Sequence, residues 1–184
     1  MFILILKILY FGLPAIIANS LPVIFARYRW LESLNKPVDN NRSFLNQPLF
    51  GRTKTWRGFL VGVVGGIIII YLQGFFNRWF DVLRSISLIN YENKLLPLAG
   101  FLMGFGALIG DLAKSFIKRR LKKPEGSRWW PWDIIDSTFG CLIFISLYLK
   151  LSWELILISI FLGPIIHMLS NLIGYKLKIK DVWW

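Results

Sequence analysis

Cysteine is nearly missing from this chain: 184 residues contain one, Cys141, and a single His. One thiol closes no disulfide framework and no multi-cysteine metal site. One imidazole without Ser/His/Asp spacing around it leaves no triad for nucleophilic catalysis. Acidic charge is scarce as well, with ten Asp and Glu against 22 Lys and Arg and a formal net charge of +12. Internal repeats and low-complexity segments are also missing. The N-terminal apolar run has no basic region ahead of it and no clean small-x-small cleavage site after it, so a retained helix is expected rather than a signal peptide.

Apolar residues are what the chain has in excess. They make up 55% of it, with nine Trp and fifteen Phe, where a soluble domain carries roughly 45–50%. They collect in long runs. A hydrocarbon core about 30 Å thick needs about 20 apolar helical residues, and five stretches approach this: 2–25, 59–76, 95–113, the shorter 134–149, and 153–175. The predicted fold is therefore an all-α integral membrane protein of about five transmembrane helices, and the length suggests one membrane-embedded domain over 1–184. Gly62, Gly65 and Gly66 on the second run, and Gly100, Gly104, Gly106 and Gly110 on the third, suit close helix packing.

The basic residues check the helix count. Segments 27–58 and 114–132 carry seven each and the tail after Tyr175 three, which is 17 of the 22. Five spans put these three regions on one side. The positive-inside rule then predicts the N-terminus outside, the C-terminus cytoplasmic, and cytoplasmic loops near 27–58 and 114–132. In a soluble protein this charge would suggest nucleic acid. In a membrane chain it points to anionic headgroups or phosphate ligands, and no nucleic-acid partner is expected.

Three segments on that side carry candidate chemistry. In Leu49–Gly58, Thr53 and Thr55 offer hydroxyls and Lys54 and Arg57 offer cations ahead of a helix N-terminus, where free N–H groups and the helix dipole favour an anion. The alternative is a juxtamembrane cluster that only sets topology. In Gly110–Arg120, Asp111, Ser115 and Lys118 fall on one helical face, and a carboxylate at a membrane boundary is a functional candidate; the alternative for Asp111 is a salt bridge to Lys114 or a hydrogen bond with Ser115. In Trp129–Asp136, Asp133 and Asp136 are three apart and share a helix side, although Asp133 alone could serve as an N-terminal cap. Trp129, Trp130 and Trp132 read as an interfacial belt. Three carboxylates among about fourteen cations suit Mg²⁺ and phosphates, since Mg²⁺ takes one or two protein carboxylates and fills its shell with phosphate and water. Deeper in the membrane, His167 and Asn171 share a face, either for a ligand or for interhelical hydrogen bonds; Asn19 is read as an interhelical hydrogen bond.

These motifs resemble the CDP-archaeol synthase family, relatives of the CDP-diacylglycerol synthases. The resemblance runs nearly the full chain: Asn19-Ser-Leu-Pro-Val23, Lys36-Pro-Val-Asp39, Phe50-Gly-Arg-Thr-Lys-Thr-Trp-Arg-Gly58, Gly110-Asp-Leu-Ala-Lys-Ser-Phe-Ile-Lys-Arg-Arg120, Asp133-Ile-Ile-Asp136, His167-xxx-Asn171 and Lys180-Asp-Val-Trp183. It implies a cytidylyltransferase joining CTP to a lipid phosphate, digeranylgeranylglycerol phosphate in the archaeal family and phosphatidic acid in the wider one, with release of pyrophosphate. The family's acidic metal sites map onto Asp111, Asp133 and Asp136, and its Ser-x-x-Lys-Arg stretch onto Ser115, Lys118 and Arg119. Lys54, Arg57, Lys118, Arg119 and Arg120 are expected to hold the phosphates, with lipid tails arriving between the Gly-rich helices. The chain departs from the bacterial-type signature, which has a Gly-Gly pair and a basic residue where this sequence runs Gly126-Ser-Arg-Trp-Trp-Pro-Trp-Asp133. The competing readings are another lipid-headgroup transferase, whose DGxxAR signature is missing, and a small transporter, which would place charge near the midplane.

Overall fold

The computed structural model describes residues 2–183. Four helices are long and apolar enough to cross a membrane: α1 (Phe2–Arg27), α2 (Trp56–Trp79), α4 (Leu96–Arg120) and α6 (Trp153–Lys176). The short α3 (Asp81–Ser85) follows α2, and α5 (Trp132–Ile145) precedes α6. The segment predicted as the fourth span is thus a helix of 14 residues, about 21 Å long at 1.5 Å per residue, followed by turns to residue 149. The only strands among the described residues are the antiparallel pair β1 (Ser43–Phe44) and β2 (Gln47–Pro48).

Local chemistry sets the boundaries. Thr55 caps α2 in an extended conformation, its hydroxyl accepting from the Gly58 N–H at 3.2 Å, which satisfies a donor that the first turn leaves unpaired. Ser152 caps α6 in the same way, accepting from Leu155 N–H at 3.3 Å. Pro97 lies in the first turn of α4, where its missing N–H costs nothing. The helix does not stop near 113 as expected but runs on to Arg120. Ser115, Lys118 and Arg119 are buried on this extension, so packing continues the helix past the apolar run.

α4 is the hub, touching α1, α2 and α5, while α6 leans on α5 and α1. Its glycines make this possible. A Cβ on Gly66 would lie 2.8 Å from the Gly100 carbonyl oxygen across the α2–α4 seam, and one on Gly106 would lie 2.5 Å from the Gly140 carbonyl oxygen across the α4–α5 seam. These seams are close backbone contacts at those glycines; the open space between α2 and α4 lies at their other end, around Gly58, Phe59, Leu108 and Leu112. The core formed by Ile8, Phe11, Ile70, Met103, Cys141 and Ile145 continues between α1, α2, α4 and α5. α6 buries only Leu155 and Ser159 and turns Leu157, Phe161 and Ile165 outward, as a helix facing lipid does.

Candidate active site

The site is assembled where the loops 28–55 and 121–131 and the tail after α6 meet the ends of α4, α5 and α6. Asp39, nearly fully buried, organises the loop before α2. Its carboxylate accepts from the backbone N–H groups of Asn41 and Phe50 at 3.0 Å and of Gly51 at 3.4 Å. Residues 36–38 then pair with 54–56, Val38 N–H donating to Lys54 O at 2.8 Å and Trp56 N–H to Lys36 O at 2.9 Å. This pairing delivers Lys54 to Asp111, with which it forms an ion pair. The Arg52 N–H donates to Glu125 at 3.2 Å, tying this loop to the one between α4 and α5.

On the other side, Gly110 lets α5 approach. A Cβ there would come within 2.9 Å of the Asp136 carbonyl carbon, so the glycine sets Asp136 beside the turn of α4 that carries Asp111 and Lys114. The Lys114 ammonium is the centre of the cluster. It stands 3.1 Å from Asp111 Oδ1, 3.4 Å from Asp133 Oδ1 and 2.7 Å from Asp136 Oδ2. One turn on, Lys118 pairs with Asp133 at 3.1 Å and donates to the Ser127 carbonyl. Asp133 is further held by the Trp129 N–H. Three carboxylates and three ammonium groups thus interlock, with Asp136 the most buried at 5% side-chain exposure. Its Oδ1 has no hydrogen-bond partner among the described residues.

The cluster forms one wall of a cavity of about 670 Å³, enough for a nucleotide-sized ligand. The cavity is also lined by Thr53, Lys54, Ser115, Arg119, His167 and Asn171. Behind His167 lies a smaller cavity of about 90 Å³ with mainly apolar walls from α1, α5 and α6; it shares Asn19, Ser137, His167 and Ser170 with the large one. Lys180, after α6, donates to Asn171 Oδ1 at 2.7 Å. Burial, with Lys114 and Lys54 nearby, pushes its ammonium below the ordinary lysine range.

The predicted residues divide accordingly. Asp111, Lys118, Asp133 and Asp136 come together with Lys54, and Thr53, Thr55, Ser115, Arg119, His167 and Asn171 line the same cavity. Ser115 shares that lining and turns its hydroxyl back to Asp111 O at 2.8 Å; Lys114 joins Asp111 and Lys118 in the ion-pair cluster. Thr55 has its hydroxyl engaged as the α2 cap, and His167 Nδ1 lies 3.5 Å from the Ser137 hydroxyl. Arg119 donates to Pro124 O at 3.2 Å. Two expectations fall outside the cavity. Arg57 is buried against Glu32 at 2.7 Å and Trp30 O at 3.4 Å. Arg120 lies over the Phe44 and Phe116 rings and donates to Gln47 O and Pro48 O. Loop carbonyls and the Glu32 carboxylate hold both side chains away from the cavity. Nor do the three aspartates form a three-carboxylate metal cage: no such group occurs among the described residues, because they converge on Lys114 instead. Lys114 was expected only as a salt-bridge partner of Asp111, a pair the structure contains, and Lys180 only as part of a motif; neither was expected at the site. The i, i+3, i+7 spacing of Asp111, Lys114 and Lys118 was the available signal for the first; for Lys180, which lies beyond a turn, pairing with Asn171 exists only in three dimensions.

Known proteins resemble this chain along nearly its whole length. A family model described as "CarS-like: CDP-archaeol synthase" matches residues 1–184. A CDP-archaeol synthase of Methanocaldococcus jannaschii is 33% identical over 177 residues, covering 96% of this chain and 95% of the relative. The one from Methanococcus vannielii is 38% identical over 177 residues, covering 95% and 94%, and that from Archaeoglobus fulgidus is 34% identical over 191 residues, covering 98% of each. A solved structure of an intramembrane enzyme for archaeal membrane lipid biosynthesis superposes with a TM-score of 0.62 at 26% identity, covering 88% of this chain and 90% of that one.

Proposed function

The chain belongs to the CDP-archaeol synthase family, and on that premise we propose how its residues carry out the family's reaction. It is a multi-pass membrane enzyme, a CTP-dependent cytidylyltransferase acting on an archaeal lipid phosphate. The lipid phosphate oxygen attacks the α-phosphorus of CTP, the bond to the β-phosphate oxygen breaks, and pyrophosphate leaves. A phosphate monoester is already largely ionised at neutral pH, so positioning and charge neutralisation carry the rate rather than a strong base.

The single domain spans 1–184 and crosses the membrane five times, α5 and the turns to residue 149 making the fourth crossing. The N-terminus lies outside, and the C-terminus and the active site lie at the cytoplasmic face. The interlocked Asp/Lys cluster at the wall of the large cavity is the observation that carries this reading. Lys54 and Lys118 are held there by carboxylates, ready to exchange them for phosphate oxygens. Thr53, Thr55, Ser115, Arg119, His167 and Asn171 complete the substrate-binding wall. The aspartates line the cavity wall and offer oxygen ligands of the kind Mg²⁺ takes, once phosphate oxygens draw lysines from them. Asp111, Asp133 and Asp136 would hold Mg²⁺, which when bound supplies charge neutralisation at the triphosphate. The small apolar cavity behind His167 receives the start of a lipid chain, between α1, α5 and α6.

Purified enzyme in vesicles, given radiolabelled CTP, Mg²⁺ and either an ether or an ester glycerolipid phosphate, is expected to put label into organic-extractable CDP-lipid, with the ether lipid preferred. No labelled lipid from either acceptor overturns the reading.

A further inference from the structure

We propose that Lys180, on the tail after α6, is the cation that receives the acceptor lipid's phosphate, so that the two substrates are held by cations on different walls of the large cavity; this rests on the cytidylyltransferase reading above. The tail carries three lysines, Lys176, Lys178 and Lys180. The first two are exposed, and of the three only Lys180 lines the cavity. The local fold builds its place. Lys178, in a left-handed conformation with φ 57°, turns the chain back after α6. The N–H groups of Ile179 and Lys180 then donate to Gly174 O at 2.9 and 3.1 Å. A Cβ on Gly174 would lie 3.3 Å from Lys180 Cγ and Cδ, so the bare backbone of α6 takes the lysine stem. The ammonium ends on Asn171 Oδ1 at 2.7 Å. The chain beyond is tied at two points: Asp181 lies 3.8 Å from Arg27 at the end of α1, and the Arg128 guanidinium stands 5.0 Å over the Trp183 ring.

Position selects the lipid phosphate over the triphosphate. His167 and Ser170, on the same helix as Asn171, line both the small apolar cavity and the large one. A lipid whose chain starts in the small cavity therefore brings its phosphate out beside Asn171 and Lys180. Lys54 and Lys118 stand on the other wall, paired with Asp111 and Asp133, where the triphosphate is placed. Transfer needs these two anions side by side, and they repel; cations on both walls let them approach. Burial, then Lys114 and Lys54, push the Lys180 ammonium below the ordinary lysine range, while Asp111 opposes them. A phosphate lodged among these cations relieves their repulsion. Held at Lys180 by a charge-assisted hydrogen bond, it also fixes the attacking oxygen, which the lipid chain alone leaves free to swing.

The test separates the two substrates. Full-length enzyme in detergent is assayed with a dialkylglycerol phosphate and CTP, and the matching dialkylglycerol, which lacks the phosphate, serves as competitor. Lys180→Met is expected to raise KM for the lipid phosphate about tenfold or more, with KM for CTP and inhibition by the uncharged lipid unchanged. Lys180→Arg, which keeps the charge, is expected to keep the lipid KM of the wild type. An unchanged lipid KM in folded Lys180→Met overturns the proposal. So does a rise in KM for CTP as large as that for the lipid, which is what a merely structural tail would give. If Lys180→Met does not fold, the wild type decides: acetylation by an amine-reactive reagent is read lysine by lysine by mass spectrometry. Lipid phosphate is expected to slow it at Lys180 and CTP to leave it unchanged there; no slowing by the lipid, or equal slowing by CTP, overturns the proposal. The two readings fail separately: a wild type that makes CDP-lipid while Lys180→Met keeps its lipid KM refutes only the role of Lys180, whereas a wild type that makes no CDP-lipid refutes the function.

Discussion

Replacing Asp111 by Asn separates a catalytic carboxylate from a structural one. In the native cluster Asp111 pairs with Lys54 through Oδ2 and with Lys114 through Oδ1 at 3.1 Å. Its side chain is only a quarter exposed, so water screens the pairs in part and each is worth on the order of 1 kcal/mol. Lys114 keeps Asp133 and Asp136; only Lys54 loses its acceptor, and at 24% exposure it can be hydrated. The stability loss is therefore on the order of 1–2 kcal/mol. The kinetic loss should be larger. Removing one preorganised electrostatic contact from a transition state costs roughly 10²–10³-fold in kcat, and Asp111 both positions Lys54 and offers a metal ligand. The assay is CTP incorporation into lipid by the purified variant. Unfolding is followed in parallel with a thiol-reactive dye, for which Cys141, the only cysteine and buried, is a reporter. The expected result is a drop of about a hundredfold or more in kcat with a melting temperature lowered by only a few degrees. Near-normal turnover by folded Asp111→Asn refutes the assignment, and so does an activity loss that merely follows the unfolded fraction.

Lys54→Met and Lys118→Met should each cut kcat/KM for CTP by about tenfold or more, roughly 1.4 kcal/mol of phosphate contact, with the effect growing smaller at high salt for the more exposed Lys54; unchanged CTP kinetics would remove either residue from the site. Gly110→Ala forces α4 and α5 apart at Asp136 and should destabilise the fold by about 1–3 kcal/mol while lowering turnover, as measured by dye melting and CTP incorporation together. Arg57→Met should cost about 1–2 kcal/mol of stability but leave the kcat of folded protein near normal, because Arg57 serves the Glu32 and Trp30 contacts outside the cavity. Ala15→Leu narrows the small apolar cavity and should raise KM for a long-chain lipid phosphate but not for a short-chain analogue; equal effects on both would place the chain elsewhere.

The sequence by itself determined the long apolar helices and the segments in which the basic residues gather. Runs of apolar residues must form helices in lipid, since no water is there to satisfy the backbone, and the Lys/Arg imbalance orders the loops. Asp111, Asp133 and Asp136 were legible for a related reason: a carboxylate at a membrane boundary is costly to keep without a task. The tertiary structure decided which cations reach the carboxylate cluster. Lys54, Arg57 and Arg120 look alike in a basic segment, yet Asp39 and the 36–38/54–56 pairing bring Lys54 to Asp111. Arg57 meets Glu32, and Arg120 meets loop carbonyls and rings. Local spacing ranks such residues equally, because long side chains choose partners by distance and burial after the helices pack. Lys114 shows this most clearly: its i, i+3 position beside Asp111 suggested one salt bridge, and only the approach of α5 through Gly110 gave it three carboxylates.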